Sequence, residues 1–398
     1  MKNNAWVCGM GVNTAIGMTV QENLQSLLAL QSGVSMPTIL NTLHKDEFPV
    51  CEIKKTNEEL AALANMPADF PRATYFSALA AKEATSHLPF LLKDYNTGFI
   101  SANTVGGMDK TEDFFKDYLQ NPSHGHLKDV QYHECGSITD LVATELGITH
   151  HISTISTACS SSANAIMQGS RLIKHGLLDC CIVGGTDALT KFTLNGFNTL
   201  LILDKSACKP FDANRNGLNL GEGAAYLVLV NDTIKEKYNL KAIAKVSGYA
   251  NANDAYHQTA SSAEGHGNFL AMQQALSMST LLPSDISYIN AHGTGTANND
   301  SSEGIAIQRL FENTIPPLSS TKAYTGHTLG ACGSIEAVYC ILAMQHGVLF
   351  PTLRFETQIP EHHFSPIKEV MHHVEIKHTM SNSFGFGGNC SSIIFSKA

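Results

Sequence analysis

The sequence predicts an α/β fold built from two similar halves. Short runs rich in β-branched residues alternate with longer segments of helical periodicity, a pattern typical of α/β proteins. Two segments, GEGAAYLVLV from Gly221 and GFGGNCSSIIFS from Gly385, each place a G-x-G turn before an apolar strand. The 398 residues also exceed a usual single domain of ~100–200 residues. We therefore predict halves at residues 1–235 and 236–398, packed as one body because no flexible linker separates them.

The first half contains a strand-turn-helix-strand unit around Cys159. HISTISTA is predicted as a strand and a turn. From Ser160 to His175 small and apolar residues recur at helical spacing, and Gly176 is suited to cap the helix. CCIVGG then has the composition of a short buried strand.

The second half contains two strands that run into loops rich in glycine and threonine. DISYINAHGTGT carries His292 after its strand, and PPLSSTKAYTGH carries Lys322 and His327. The following TLGACGSIEAVYCILAMQHG is predicted as a helix that ends at Gly347. Its small residues indicate close packing against a neighbouring element. Loops at strand ends are where α/β proteins build their sites.

Composition and charge argue against several classes of protein. The net charge is −9, the pI is near 6, and no run of lysine or arginine is present, which disfavours nucleic-acid binding. No apolar run approaches ~20 residues, and the first residues lack the apolar core of a signal peptide. We expect no membrane association and a cytoplasmic location. The ten cysteines include no C-x-x-C spacing, which favours reduced thiols over a disulfide framework.

Known cofactor and nucleophile motifs are missing from the sequence. GMGVNTAIG lacks the third glycine of a dinucleotide site and the acidic residue about 20 positions on. Neither a P-loop nor a G-x-S-x-G nucleophile motif occurs. In each of the three histidine doublets the two adjacent side chains would point in different directions, and no set of Cys, His and Asp residues has the spacing of a zinc site. We therefore expect no metal and no redox cofactor.

Cys159 is a candidate nucleophile. A thiol at a helix N-terminus faces the positive end of the helix dipole and free backbone N–H groups, which favour the thiolate. The same N–H groups can stabilise an oxyanion. A small buried cysteine that fills the core remains the alternative, and the residues around Cys159 do not decide between the two.

His292 and His327 are candidate partners of this thiol. A neutral imidazole in such a loop can donate a hydrogen bond to developing charge or accept a proton. Lys322 and Glu336 lie five and nine residues from His327, so an ion pair between them would orient that imidazole. Spacing alone fits an ordinary structural salt bridge equally well.

Five motifs in order resemble the β-ketoacyl-acyl carrier protein synthases of the elongating Cys-His-His type, which have the thiolase fold. The likeness spans nearly the whole chain. The five segments are STACSSSANAI, KPFDANRNGLNLGEGAAYLVL, NAHGTGTANNDSSE, STKAYTGHTLGACGSIEA and SNSFGFGGN, preceded by an opening strand WVCGMGVNTAIG. The resemblance implies a duplicated five-layer α-β-α-β-α architecture.

The resemblance also implies roles for individual residues. Cys159 would accept the acyl group, His292 and His327 would assist malonyl decarboxylation, and Lys322 and Glu336 would support them. Backbone N–H groups of Cys159 and Phe386 would form the oxyanion hole, and Phe386 would also be a gate. Asp254 to Thr259 would match a second loop that moves with the gate, and Val105 would line the acyl pocket. The flanking and substrate-binding positions that match the family are Gly385, Gly387, Thr294, Thr296, Asp254, His257, Thr259 and Val105.

The activity implied is acyl transfer followed by decarboxylative Claisen condensation with malonyl-acyl carrier protein, in fatty-acid or polyketide/polyene elongation. The substrates would be carried on phosphopantetheine, without another cofactor. An acyl carrier protein and a second subunit are the expected partners, as a homodimer or as a heterodimer with an inactive homologue. The alternatives are a non-catalytic chain-length partner subunit, which the retained Cys159, His292 and His327 oppose, and a biosynthetic thiolase.

The chain departs from the family pattern in three places. Asn389 and Cys390 replace the usual pair after GFGG, and RNGL replaces R-D-G-F from Arg215. Leu201 and Ile202 lie where many relatives carry an arginine that docks the acidic carrier protein. These changes leave the implied catalytic set intact and concern the docking surface.

Overall fold

A computed structural model describes residues 4–312 and 314–398 of the chain. The strands are β1 (Trp6–Thr14), β2 (Val34–Ser35), β3 (Val50–Cys51), β4 (Thr97–Ala102), β5 (His151–Ile155), β6 (Cys180–Asp187), β7 (Gly223–Val230), β8 (Ala244–Asn253), β9 (Tyr288–Asn290), β10 (Leu318–Ser319), β11 (His378–Gly385) and β12 (Asn389–Ser396). The α-helices are α1 (Val20–Leu28), α2 (Asn57–Ala64), α3 (Arg72–Thr85), α4 (Met108–Gln120), α5 (Cys135–Glu145), α6 (Ser161–Lys174), α7 (Lys191–Thr199), α8 (Asp232–Lys237), α9 (His266–Ser279), α10 (Ala297–Phe311), α11 (Lys322–Thr325) and α12 (Cys332–His346).

The main sheet repeats one strand order twice. Its ten strands run β10-β9-β11-β12-β8-β1-β7-β6-β4-β5. One set of five comprises β1 and β4 to β7, and the other comprises β8 to β12. When the strands of each set are numbered along the chain, their order from the outer edge of the sheet is third, second, fourth, fifth, first. In both sets two parallel pairs are followed by two antiparallel pairs. β7 and β12, the strands of the two G-x-G segments, occupy equivalent places. The predicted duplication of an α/β unit is therefore confirmed.

The two sets of strands meet only briefly in the sheet. β1 pairs antiparallel with β8 through Trp6 with Lys245 and Val7 with Ala244. The predicted boundary between residues 235 and 236 falls inside α8. No observation tests that boundary, and it stays a prediction.

The helices complete five layers. α6 and α12 lie in the centre, where they contact strands of both sets, while α3 and α5 cover the outer face of one set and α9 that of the other. α12 is buried from Cys332 to Met344, as expected for a helix that is apolar on all sides. Gly333 permits the close approach of the two central helices, because a Cβ there would lie 2.9 Å from the backbone nitrogen of Ala163. The starts of α6 and α12 are thereby brought together.

Several predicted elements are confirmed. The helix after Cys159, the buried CCIVGG strand and the helix ending at Gly347, which has φ of 61°, all form. None of the helices in the two described ranges has the length and apolar character needed to cross a bilayer.

Candidate active site

Cys159 lies in a sharp turn between β5 and α6. Ala158 adopts a left-handed backbone conformation with φ of 53°, which is costly for a residue with a Cβ atom. The turn is held by Ser161, whose hydroxyl accepts from the N–H of Thr157 and donates to the carbonyl of Ala158. Cys159 is 6% exposed. The turn thus places the thiol directly before the N-terminus of a central helix.

His292 and His327 converge on this thiol from the second half of the chain. One ring nitrogen of each histidine and the sulfur of Cys159 lie within 4.8 Å of one another. The two ring centroids are 5.4 Å apart and the rings are perpendicular. His292 follows β9, and His327 follows α11. The predicted association of the cysteine with both histidines is therefore present in the structure.

Hydrogen bonds fix which nitrogen of each ring carries a proton. The N–H of Leu329 donates to Nδ1 of His327 (N to Nδ1, 3.0 Å), and the Lys322 ammonium donates to Nδ1 of His292 (Nζ to Nδ1, 3.2 Å). Because Nδ1 accepts in both rings, Nε2 is the N–H donor of each neutral imidazole. Burial, reinforced by Lys322, lowers the pKa of His327 to about 3 and that of His292 well below its usual value. Both rings are therefore neutral donors near pH 7.

Lys322 and Glu336 form the expected ion pair, but it contacts a different histidine. The two buried side chains are hydrogen-bonded. Burial opposes the charge of Lys322, yet the Glu336 carboxylate keeps the lysine pKa above its ordinary value. The expectation that the pair orients His327 is corrected: the ammonium bonds to His292. The reason is that α11 faces the loop after β9, a relationship that spacing along the chain does not reveal.

The expectation of a thiolate at Cys159 is also corrected. Burial raises the pKa of the thiol to about 11, although Lys322 and the N–H groups of Phe386 and Cys159 lower it in part. The cost of desolvating a charge outweighs the helix N-terminus. The resting side chain is therefore a protonated thiol whose sulfur lies beside two backbone donors.

Two cavities reach Cys159 from different sides. The first, of about 410 Å³, includes both histidines and three predicted substrate-binding residues, Thr294, Thr296 and Thr259. The second, of about 380 Å³, is mainly apolar and includes the predicted Val105. Residues that line both cavities are Cys159, Phe197 and Phe386.

Phe386 separates the cavities. Its ring stacks on that of Phe197, with centroids 5.8 Å apart. Gly385 lies against the turn that carries Cys159, since a Cβ there would be 3.0 Å from the nitrogen of Cys159. Gly387 has φ of 76°, a conformation that glycine adopts without strain. The predicted gate position is thus next to the sulfur. Phe197 was not identified from the sequence, because nothing in α7 distinguishes it from a core phenylalanine.

The predicted second loop contacts the gate, but two of its residues do not reach the cavities. The N–H of Gly387 donates to the carbonyl of Gln258, and the N–H of Asp254 donates to the carbonyl of Gly388. Asp254 itself accepts from the Ser262 hydroxyl and the Gly267 N–H, so it organises the start of α9. His257 is exposed. Both residues lie outside the two cavity linings.

Two buried carboxylates that the sequence analysis did not single out support the site. Asp187 accepts from the N–H groups of Thr104, Val105 and Gly330 and from the Thr104 hydroxyl. It therefore connects the wall of the apolar cavity to the turn that holds His327. Glu303 accepts from the N–H groups of His292 and Gly293 and fixes the other histidine loop. Its position in NDSSE, on the helix after that loop, was the available signal.

The same cluster contains groups that could bind a metal. Cys159 with His292 and His327 forms one set, and His292 with Cys332 and Glu336 forms another. Both sets include His292, which already accepts from the Lys322 ammonium. A cation at either position would lie close to that positive charge, which opposes its binding.

Comparisons with known proteins identify the family. Models of the β-ketoacyl synthase N-terminal and C-terminal domains match residues 92–233 and 243–356. A 3-oxoacyl-[acyl-carrier-protein] synthase 2 of Staphylococcus aureus (strain N315) is 30% identical over 403 residues, which cover 98% of this chain and 97% of that protein.

Solved structures agree with this result. An ishigamide ketosynthase/chain length factor structure superposes with a TM-score of 0.94 at 25% identity, and the match covers 100% of both chains. A ketosynthase from Xenorhabdus doucetiae, solved in complex with its chain length factor, gives a TM-score of 0.86 at 29% identity, covering 100% of this chain and 98% of that one. With the cysteine and the two histidines gathered at one point of this fold, the chain belongs to the β-ketoacyl synthase family of condensing acyltransferases.

Proposed function

We propose that this condensing enzyme elongates acyl chains by β-ketoacyl-acyl carrier protein synthesis, with Cys159 as the acyl-accepting nucleophile. The observation that carries the proposal is the buried thiol at the junction of two cavities, beside two neutral histidines whose Nε2 atoms are donors. One cavity suits an acyl chain and the other suits the arm that delivers it.

The first step is transfer of an acyl group to Cys159. The cysteine sulfur attacks the thioester carbonyl, and the bond from that carbonyl to the carrier thiol breaks. The thiol proton ends on the departing phosphopantetheine sulfur, so no external base is consumed overall. Backbone N–H groups of Cys159 and Phe386 lie beside the sulfur, which supports their proposed role in holding the tetrahedral oxyanion. Loss of one such donor typically costs ~3–4 kcal/mol.

The second step joins the two chains. The malonyl carboxylate leaves as CO₂, and its bonding electrons form an enolate whose oxygen accepts from Nε2–H of His292 and His327. The enolate carbon attacks the acyl-cysteine carbonyl, the C–S bond breaks, and the cysteine thiolate takes a proton from solvent. Neutral donors suit this role because they stabilise the developing charge without being titrated near pH 7.

The cavities divide the two substrates. Val105 and the apolar residues around it would hold the acyl chain. Thr294 and Thr296, whose hydroxyls lie 2.9 Å apart, would bind the phosphopantetheine arm, with Thr259 opposite. Phe386 would gate between them, and the loop from Asp254 to Thr259 would move with it because the two are hydrogen-bonded.

The proposal extends to partners and location. The donor for both steps is an acyl carrier protein, and no metal or redox cofactor takes part. We also propose a cytoplasmic dimer, supported by the free edge of β5, where Ile152 is 40% exposed. A heterodimer with an inactive homologue is the alternative assembly. The halves 1–235 and 236–398 are proposed as the units that supply the nucleophile and the histidines.

Intact-mass measurement tests the proposal. Wild-type protein is mixed with acyl-carrier proteins of several chain lengths and then with malonyl-carrier protein. The expected results are an acyl adduct that is absent from Cys159→Ala and a product two carbons longer. His292→Ala and His327→Ala should keep acylation but lose decarboxylation. Failure of every acyl thioester to label wild-type protein would refute the proposal, and the opposite pattern in the histidine variants would refute their roles.

A further inference from the structure

The cavity that holds both histidines offers little free charge to a partner. Among the described residues that line this cavity, and apart from the histidines, Arg215 is the only one with a charged side chain. Its guanidinium is mostly buried and donates to the carbonyls of Asp212, Thr296 and Ala297 and to the Ser301 hydroxyl. Arg215 is thus committed to the protein itself and is not presented to a partner.

Leu201 projects from the rim at the mouth of this cavity. Its side chain is 87% exposed, and its backbone is left-handed with φ of 56°. The backbone is anchored on both sides: the N–H of Leu201 donates to the carbonyl of Asn198, and the carbonyl of Ile202 accepts from the N–H of Leu218. A leucine in this conformation is strained and gains nothing from burial within the chain. Its backbone is therefore fixed, and its apolar side chain is directed into solvent.

The surroundings of Leu201 extend this apolar character. Leu200 and Phe192, which line the second cavity, are also exposed. The lysines that follow in the chain are paired with acids: Nζ of Lys205 lies 2.8 Å from a Glu47 carboxylate oxygen, and Nζ of Lys209 lies 3.9 Å from one of Glu356. This neighbourhood therefore offers a partner an apolar contact at Leu201, beside lysines that already have acidic neighbours.

We propose that Leu201 is the central contact for the carrier protein that delivers the thioester, and that this carrier presents an apolar side chain beside its phosphopantetheine attachment. The inference rests on the proposed function, because a thioester that reaches Cys159 through this mouth brings its carrier onto the rim. Docking of this kind depends on apolar burial at Leu201 and only weakly on ionic strength.

The test compares the same acyl group on two donors. Octanoyl-carrier protein covers the rim, whereas octanoyl-N-acetylcysteamine enters the cavity without a protein attached. Leu201→Asn removes the apolar contact while keeping a residue that tolerates the left-handed conformation. We expect KM for the octanoyl-carrier protein to rise about tenfold, with little change for octanoyl-N-acetylcysteamine.

Two further variants sharpen the result. Leu201→Met restores an apolar side chain and should return KM for the carrier close to the wild-type value. Leu282→Asn changes a leucine that is 66% exposed and lines neither cavity, so it should change nothing. For the wild type, KM for the carrier should change by less than about twofold between 50 and 500 mM NaCl.

Separate outcomes identify which proposal fails. If octanoyl-N-acetylcysteamine labels Cys159 but octanoyl-carrier protein does not, or if Leu201→Asn leaves KM for the carrier unchanged, the docking proposal is wrong and the condensing activity stands. A steep rise of KM with salt would also overturn it, because that behaviour belongs to charge-based docking. If neither donor labels Cys159, the proposed function itself has failed.

Discussion

Nζ of Lys322 lies 3.2 Å from Nδ1 of His292, and the same ammonium is bonded to Glu336. One buried cation thus pairs with one oxygen of a carboxylate and fixes the tautomer of a histidine. The two tasks can be separated by mutation.

Lys322→Met should lose both stability and decarboxylation. Glu336 would be left as a buried acid without its partner, which costs ~3–5 kcal/mol, and His292 would lose the donor at Nδ1. The double variant Lys322→Met/Glu336→Gln should recover much of the stability without recovering decarboxylation. Thermal unfolding and CO₂ release from malonyl-carrier protein measure the two effects. Decarboxylation at the wild-type rate in either variant would contradict the role of Lys322 at His292.

The thiol of Cys159 should become more reactive as the pH rises. Because its pKa is raised to about 11, the thiolate fraction grows about tenfold for each pH unit between 7 and 10. Alkylation by iodoacetamide, followed by peptide mass spectrometry at Cys159, should give a logarithmic rate with a slope near one over that range. A plateau above about pH 7 would indicate a preformed thiolate and contradict the effect of burial.

Decarboxylation should show no histidine titration between pH 5 and 8. His327 has a pKa of about 3 in the folded protein, against 6.5 ordinarily, so its ring stays neutral across that window. The unfolded chain takes up protons below pH 6.5 that the folded protein does not. Stability therefore falls as the pH drops from 6.5 towards 3. The pH profile of CO₂ release tests the first statement, and an inflection near 6.5 in the wild type would disprove it.

The same linkage predicts a smaller acid sensitivity in His327→Gln. Glutamine cannot be protonated, so the melting temperature of this variant should decline less between pH 7 and 5 than that of the wild type. An equal decline in both proteins would assign the acid sensitivity to other groups.

Gly196 should control the length of acyl chain that is accepted. It lies inside α7 on the apolar cavity, and a Cβ added there has no neighbour within 4 Å. Gly196→Ala should stabilise the helix by ~0.5–1 kcal/mol without changing the chain range. Gly196→Leu should occupy the cavity and exclude the longest chains, measured by competition among acyl thioesters at Cys159. An unchanged chain range in Gly196→Leu would place the acyl chain elsewhere.

Much of this site follows from the sequence because the motifs fix its local geometry. The strand, turn and helix around Cys159 depend on nearby residues, and the repeated G-x-G segments identify equivalent strands. The partner of Lys322 depends on how α11 meets the loop after β9, which spacing along the chain does not encode. The prediction of a thiolate at Cys159 is wrong because a helix N-terminus can be recognised in a sequence, whereas the burial that raises the pKa of the thiol cannot. The sequence does not indicate the role of Asp187, because its hydrogen-bond donors lie in two distant segments, at Thr104 and Val105 and at Gly330.

The repeated strand order divides the candidate site between two structural repeats. The turn that carries Cys159 belongs to the first set of five strands, and both histidine loops belong to the second. The sheet itself joins them through two residue pairs. The distance between sulfur and imidazole therefore depends on other contacts between the repeats, namely the fit of α6 against α12 and the backbone hydrogen bonds of His327 with Asn219 and Gly221. Activity therefore depends on how the two structural repeats dock, because a small shift between them would separate the thiol from the imidazoles.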